Sequence, residues 1–155
     1  MKVVTACVTA GMLLVAVPSA MAAPGDFANG GGQVFTTNVS FSAHEDKNGD
    51  AKGHINATAV GSRTSYRADV TCLTVSGNRA VIGGEITREG GFSTPPGIPV
   101  GWGVLYHVED NGQPSDGPDR IAVDFLPQPP QDCAINPARP LFAMERGNIL
   151  VRDVE

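Results

Sequence analysis

Charge is the first shortage. Only 17% of the 155 residues are Asp, Glu, Lys or Arg, and the net charge is −5 with no block of like charges. Nucleic-acid affinity rests largely on Lys and Arg neutralising phosphates, so this balance argues against a nucleic-acid partner. Strong helix formers are scarce too, with six Glu and three Lys in the whole chain, which argues against a helical bundle. Beyond Val17 no apolar run approaches the roughly 20 residues a membrane-spanning helix needs. The chain carries no Gly-x-Ser-x-Gly elbow, metalloprotease helix or phosphate-cradling loop. Its three cysteines lack the paired Cys or Cys/His spacing of a zinc site. What is abundant is Gly and Pro, together 31 positions, the composition of a loop-rich β protein.

The N-terminus has the three parts of a secretory signal. Met1-Lys2 is basic, Val3 to Val17 is apolar, and Pro18-Ser19-Ala20-Met21-Ala22 places small residues where a signal peptidase reads them. Cleavage is expected after Ala22, with Ala23 as the alternative, so residues 1–22 form the signal peptide and Cys7 leaves with it. The mature chain is then secreted, with no membrane span and a partner outside the cell. Two cysteines remain, Cys72 and Cys133. In an oxidising compartment an even pair predicts one disulfide, and no adjacent His or Lys marks either as a reactive thiol.

Residues 23–32 are small and Gly-rich and read as a flexible lead-in. A single all-β domain is expected over 33–155. Phe35, Thr37, Val39, Phe41 and Ala43 alternate with polar residues, the period of a strand with one face buried. Asn48-Gly49 then signals a hairpin turn, and Ile55, Ala57 and Ala59 return. A third strand starts at Tyr66, with Tyr66, Ala68, Val70 and Cys72 on one face. Leu73 and Val75 break the phase, which suggests a bulge. Gly83-Gly84 inside the fourth strand marks a bend or a close backbone approach. Trp102 to Val108, Ile121 to Phe125 and Asn148 to Val154 supply later strands, with a proline-rich excursion at 127–140. Strands at this spacing predict one antiparallel β-sandwich or a small β-barrel of about seven or eight strands.

The stretch Val70 to Gly84, the loop Asp110-Asn111-Gly112-Gln113-Pro114 with Pro118-Asp119-Arg120, and the closing Gly147 to Val151 form a distinctive set. With Gly30-Gly31-Gly32 and Gly53-His54, they resemble small exported actinobacterial proteins of unknown function, some related sequences carrying the label post-COAP-1 domain. The resemblance spans most of the mature chain. It implies a small exported β domain and no catalytic residues.

Three chemistries are worth weighing. Asp46-Lys47-Asn48-Gly49-Asp50 opens like a calcium loop, but Ala51 and Ala57 stand where an EF-hand needs Gly and Glu. Asp110, Asp116 and Asp119 form a second oxygen-rich loop, although Asp, Asn and Gly are also what tight turns need. Of the loops, Glu109–Arg120 is the first choice for a cation or a basic partner surface. His44 and His54 flank the first hairpin and with Asp46 or Asp50 are the only acid–base candidates. No nucleophile–base–orienter set can be assembled, so an exported noncatalytic binding or structural domain is the leading reading. The alternative is a small barrel carrying an apolar ligand among Phe35, Phe41, Tyr66, Trp102, Tyr106 and Phe125. At this chain length a filled core is expected to take most of those rings. A hydrolytic enzyme comes third.

Overall fold

A computed structural model describes residues 25–61, 64–90 and 98–154. The expected signal peptide with Cys7 and Ala23, and the Pro95-Pro96-Gly97 loop, lie outside the described residues. Nine strands follow in chain order: β1 (Phe27–Val34), β2 (Thr37–Glu45), β3 (Ala51–Ala59), β4 (Ser65–Ser76), β5 (Arg79–Gly90), β6 (Gly103–Glu109), β7 (Arg120–Leu126), β8 (Phe142–Ala143) and β9 (Arg146–Arg152). They pair antiparallel in a single sheet, ordered β8-β7-β6-β5-β4-β3-β2-β1-β9, which curls into a half-barrel. The expectation of an all-β antiparallel fold is met. The strand count is nine rather than seven or eight, and there is one sheet rather than the two of a sandwich.

Two strands were not expected, the two-residue β8 and β1, which takes up most of the segment read as a flexible lead-in. Residues 27–34 pair with β2 on one side and with β9 on the other. Its glycines serve proximity. A Cβ at Gly30 would lie 2.9 Å from the Ile149 Cα, and one at Gly32 would lie 2.1 Å from the Arg146 carbonyl oxygen. Only a strand without side chains at those positions can approach β9 so closely.

Alternation sets the inner face. β2 buries Val39, Phe41 and Ala43 and exposes Asn38, Ser40 and His44. Phe35, expected in the same strand, instead sits in the two-residue turn before it. In β4 the register slips between Val70 and Cys72, so Thr71 is the extra residue. The slip resets the phase: Leu73 packs in the main core with Ala68, while Cys72 points to the outer face. Ile55, Ile82, Ile86, Val104, Val108 and Ile149 are fully buried inside. Each such side chain contributes about 1.5–3 kcal/mol relative to exposure.

The proline-rich segment 127–140 crosses the outer face of β4, β5 and β6 as a strap. Cys133 bonds to Cys72, with their Cα atoms 5.6 Å apart. Val81, Leu105 and Ile135 pack around the bridge. Thr71 Oγ1 donates to the Pro130 carbonyl at 2.6 Å, and Thr74 Oγ1 donates to the Cys133 carbonyl. At the far end the Arg139 guanidinium grips Asp124, and Arg79 donates to the Pro137 carbonyl while pairing with Glu109. Gly83 is where the strap touches the sheet. A Cβ there would stand 2.4 Å from Cys72 Sγ and 2.7 Å from Pro130 Cγ.

The second edge of β9 is met by side chains instead of a strand. The buried Asp119 accepts the Ile149 N–H on Oδ2 and the Asn111 N–H, at 2.8 Å, on Oδ1. Asp110 accepts the Val151 N–H at 3.0 Å and the Gly112 N–H at 2.8 Å. These two carboxylates tie the β6–β7 connection to β9.

Candidate functional site

The interior is filled over part of its length and hollow at one end. Where it is filled, Phe41 packs edge-on against Tyr106 with centroids 5.9 Å apart. Toward the β1–β2 turn the inward residues of β2 and β3 become small, at Thr37, Ala57 and Ala59. Their size leaves a cup of about 370 Å³. Its walls are Val34, Phe35 and Val39 on one side, Ile121, Val123 and Phe125 of β7 on the other, with Phe142 and Ile98 at the rim. Among the described residues no charged side chain lines it. Phe41 thus lies in the filled part, Tyr106 is a core residue that also borders the cup, and Phe35, Tyr66 and Phe125 line it. Trp102 stays outside it, half-exposed, its carbonyl accepting the Ile86 N–H.

Besides Thr37 and Thr64, the polar lining of the cup is a pair of hydroxyls from β4 and β6. Tyr66 and Tyr106 hydroxyl oxygens are 2.8 Å apart. Tyr106 is fully buried and Tyr66 is half-buried. Burial pushes both hydroxyls well above the usual tyrosine range, so both keep their protons. Tyr66 is steadied by an edge-on contact with Phe125, at 5.6 Å between centroids.

Phe35 overhangs the cup in an unusual way. Its φ is +49°, the one positive value among described non-glycine residues. A bulky residue there costs on the order of 1 kcal/mol or more, and such strain gathers at binding sites. The residue is 60% exposed, and its ring meets that of Phe142 edge-on at 5.2 Å.

The other candidates do not converge. His44 and His54 lie diagonally across β2 and β3 on the exposed outer face, since His44 is opposite Lys52. Asp46 folds back on its own loop, accepting the Asn48 and Asp50 N–H groups at 2.8 and 3.1 Å. Those hydrogen bonds, led by Asn48, hold its carboxyl below the usual range. In the Glu109–Arg120 loop, Glu109 pairs with Arg79 while Asp110 and Asp119 bind β9, which leaves Asp116 exposed on a 3-10 turn, Pro114–Asp116. Among the described residues no group of three or more His, Cys, Asp or Glu side chains is placed to hold a metal ion.

His107, by contrast, carried no signal in the sequence beyond alternating with buried neighbours. It faces outward from β6 under the strap, with Nε2 3.2 Å from Asp124 Oδ2. Burial lowers its pKa, and the nearby Arg139 charge adds to that effect, while Asp124 opposes both. The folded state thus disfavours the imidazolium. The unfolded chain takes the proton more readily, so this contribution is present above the ordinary histidine value of about 6.5 and is lost as pH falls below it. Melting temperature is expected to drop between roughly pH 7.5 and pH 5. His107→Gln should flatten that part of the profile, and an unchanged slope in the variant would exclude His107 as its source.

Among the described residues no helix is long and apolar enough to cross a membrane. Compared with protein-family models, curated proteins and solved structures, the chain matches none.

Proposed function

We propose that the protein is an exported, noncatalytic β domain whose cup binds an apolar small molecule. The observation that carries this reading is the cup itself, a hollow of about 370 Å³ whose described lining residues are all uncharged. That volume falls within the roughly 300–1,000 Å³ of small-molecule sites, which are mostly apolar with a few placed polar groups. A void of this size in a small domain forfeits packing that a core of larger side chains would have made. The strained Phe35 at its rim is a second feature that packing alone does not require. Export is supported by the secretory pattern of residues 1–22 and by the Cys72–Cys133 bond, which suits an oxidising compartment. The resemblance to small exported actinobacterial proteins points the same way.

The neutral dye N-phenyl-naphthylamine tests the cup. Saturable one-to-one fluorescence enhancement is expected. Ala59→Phe, which places a ring in the hollow, should weaken it about tenfold or more while the melting temperature changes little. Native mass spectrometry of freshly purified protein should in addition show a retained small molecule. No saturable dye binding, together with a bare chain mass, would overturn the reading.

A further inference from the structure

Resting on the cup as a binding site, the chemistry of its occupant can be taken one step further: we infer that it is an uncharged, mainly apolar molecule with one hydrogen-bond-accepting oxygen, and that this oxygen docks on the Tyr66 hydroxyl. Proton counting leads there. Two phenolic hydroxyls carry two protons, and the single hydrogen bond between Tyr66 and Tyr106 uses one of them. The other proton is not used in that bond. A buried donor left without a partner is costly, so the surplus proton belongs on the hydroxyl that can reach something else. Tyr106 has no exposed surface and Tyr66 is half-buried. Tyr106 therefore donates to Tyr66, and Tyr66 donates into the cup.

The same lining sets what the occupant cannot be. A carboxylate or phosphate would enter a space with no Lys, Arg or His among the described residues of its walls. Burying an unpaired charge costs far more than one hydroxyl hydrogen bond returns. A pure hydrocarbon would fill the walls but leave the Tyr66 proton unmet. A ketone, ether or alcohol oxygen on an apolar body satisfies both demands. Both hydroxyls stay protonated across the physiological range, so the donor is always present.

Three molecules of nearly one shape separate these cases: fluorene, fluorenone and fluorene carboxylate, each competed against bound N-phenyl-naphthylamine. In the native protein fluorenone should bind about three- to tenfold tighter than fluorene, the span of one net hydrogen bond. The carboxylate should bind at least tenfold more weakly than fluorene. In a Tyr66→Phe/Tyr106→Phe variant the ketone advantage should vanish while fluorene affinity is kept. Removing both partners together leaves no orphaned hydroxyl, so this variant is expected to fold, as an unchanged dye titration would verify. Equal affinity for fluorene and fluorenone in the native protein, with the dye still bound, overturns the oxygen-docking inference and leaves the cup reading intact. Preferred binding of the carboxylate overturns it as well. Failure of the dye and all three competitors to bind overturns both.

Discussion

Replacing Cys72 and Cys133 together with alanine is expected to lower stability by about 4 kcal/mol, the chain-entropy value for a bridge across 61 positions. For a domain of this size that is a fall in melting temperature on the order of 10–20 °C. The loss should concentrate in the strap. Once the bridge is gone, residues 127–140 are held by the Thr71 and Thr74 hydroxyls at one end and by Arg139 on Asp124 at the other. Proteolysis under native conditions should shift to this segment, with its products identified by mass. The cup lies on the opposite face of the sheet, so dye affinity should survive in the variant at temperatures where it remains folded. Thermal denaturation of the variant beside the native protein checks the first expectation. A difference under about 1 kcal/mol would show that the strap is held without the bridge.

Asp119→Ala is expected to cost about 3–5 kcal/mol. The carboxylate is 6% exposed and receives two backbone N–H groups, from Asn111 and Ile149. Hydrogen bonds to a charged acceptor are worth about 1.5–3 kcal/mol each, and alanine leaves both donors unpaired. Asp119→Asn is the sharper comparison. It keeps the shape but turns one acceptor into an NH₂ group that cannot receive an N–H, so roughly half the loss should remain. Hydrogen exchange at the Ile149 and Val151 amides reads the local effect, with faster exchange expected at Ile149 first. Calcium added to native protein tests the cation reading of this loop. If the carboxylates serve only β9, millimolar calcium leaves the melting temperature where it was.

Much of the sheet was legible because its strands obey the simplest rule available. β2, β3, β6 and β7 alternate small or apolar residues with polar ones, and one buried face is all that alternation encodes. The Leu73 phase break marked the Thr71 bulge, and Gly83-Gly84 marked a close approach, here of the strap. β1 was missed because glycine has two opposite meanings. At Gly30 and Gly32 the missing side chain makes room for the β9 backbone, yet the same residues in isolation suggest a flexible chain. The Tyr66–Tyr106 pair and the cup were hidden for a different reason. Tyr66 and Tyr106 are 40 positions apart, and a void depends on how small residues from several strands coincide. Asp110 and Asp119 were noticed as oxygen-rich, but turn residues and buried acceptors share a composition. What tells them apart is the strand edge beside them, which no local pattern reveals.

The placement of β1 also governs the order in which the chain can assemble. Seven of the eight strand pairings join successive strands in sequence, and each can close as soon as its own segment exists. The exception is β1 with β9, where Gln33 meets Arg146 and Phe27 meets Arg152. Bringing those segments together closes a loop of more than a hundred residues, the slowest kind of contact to form because its entropy cost comes before any reward. Until it forms, β1 presents a bare, glycine-lined edge to its surroundings, and such an edge can pair with the β9 of another copy as readily as with its own. Refolding at high protein concentration is therefore where exchanged dimers should arise, with the β9 segment as the piece that changes hands.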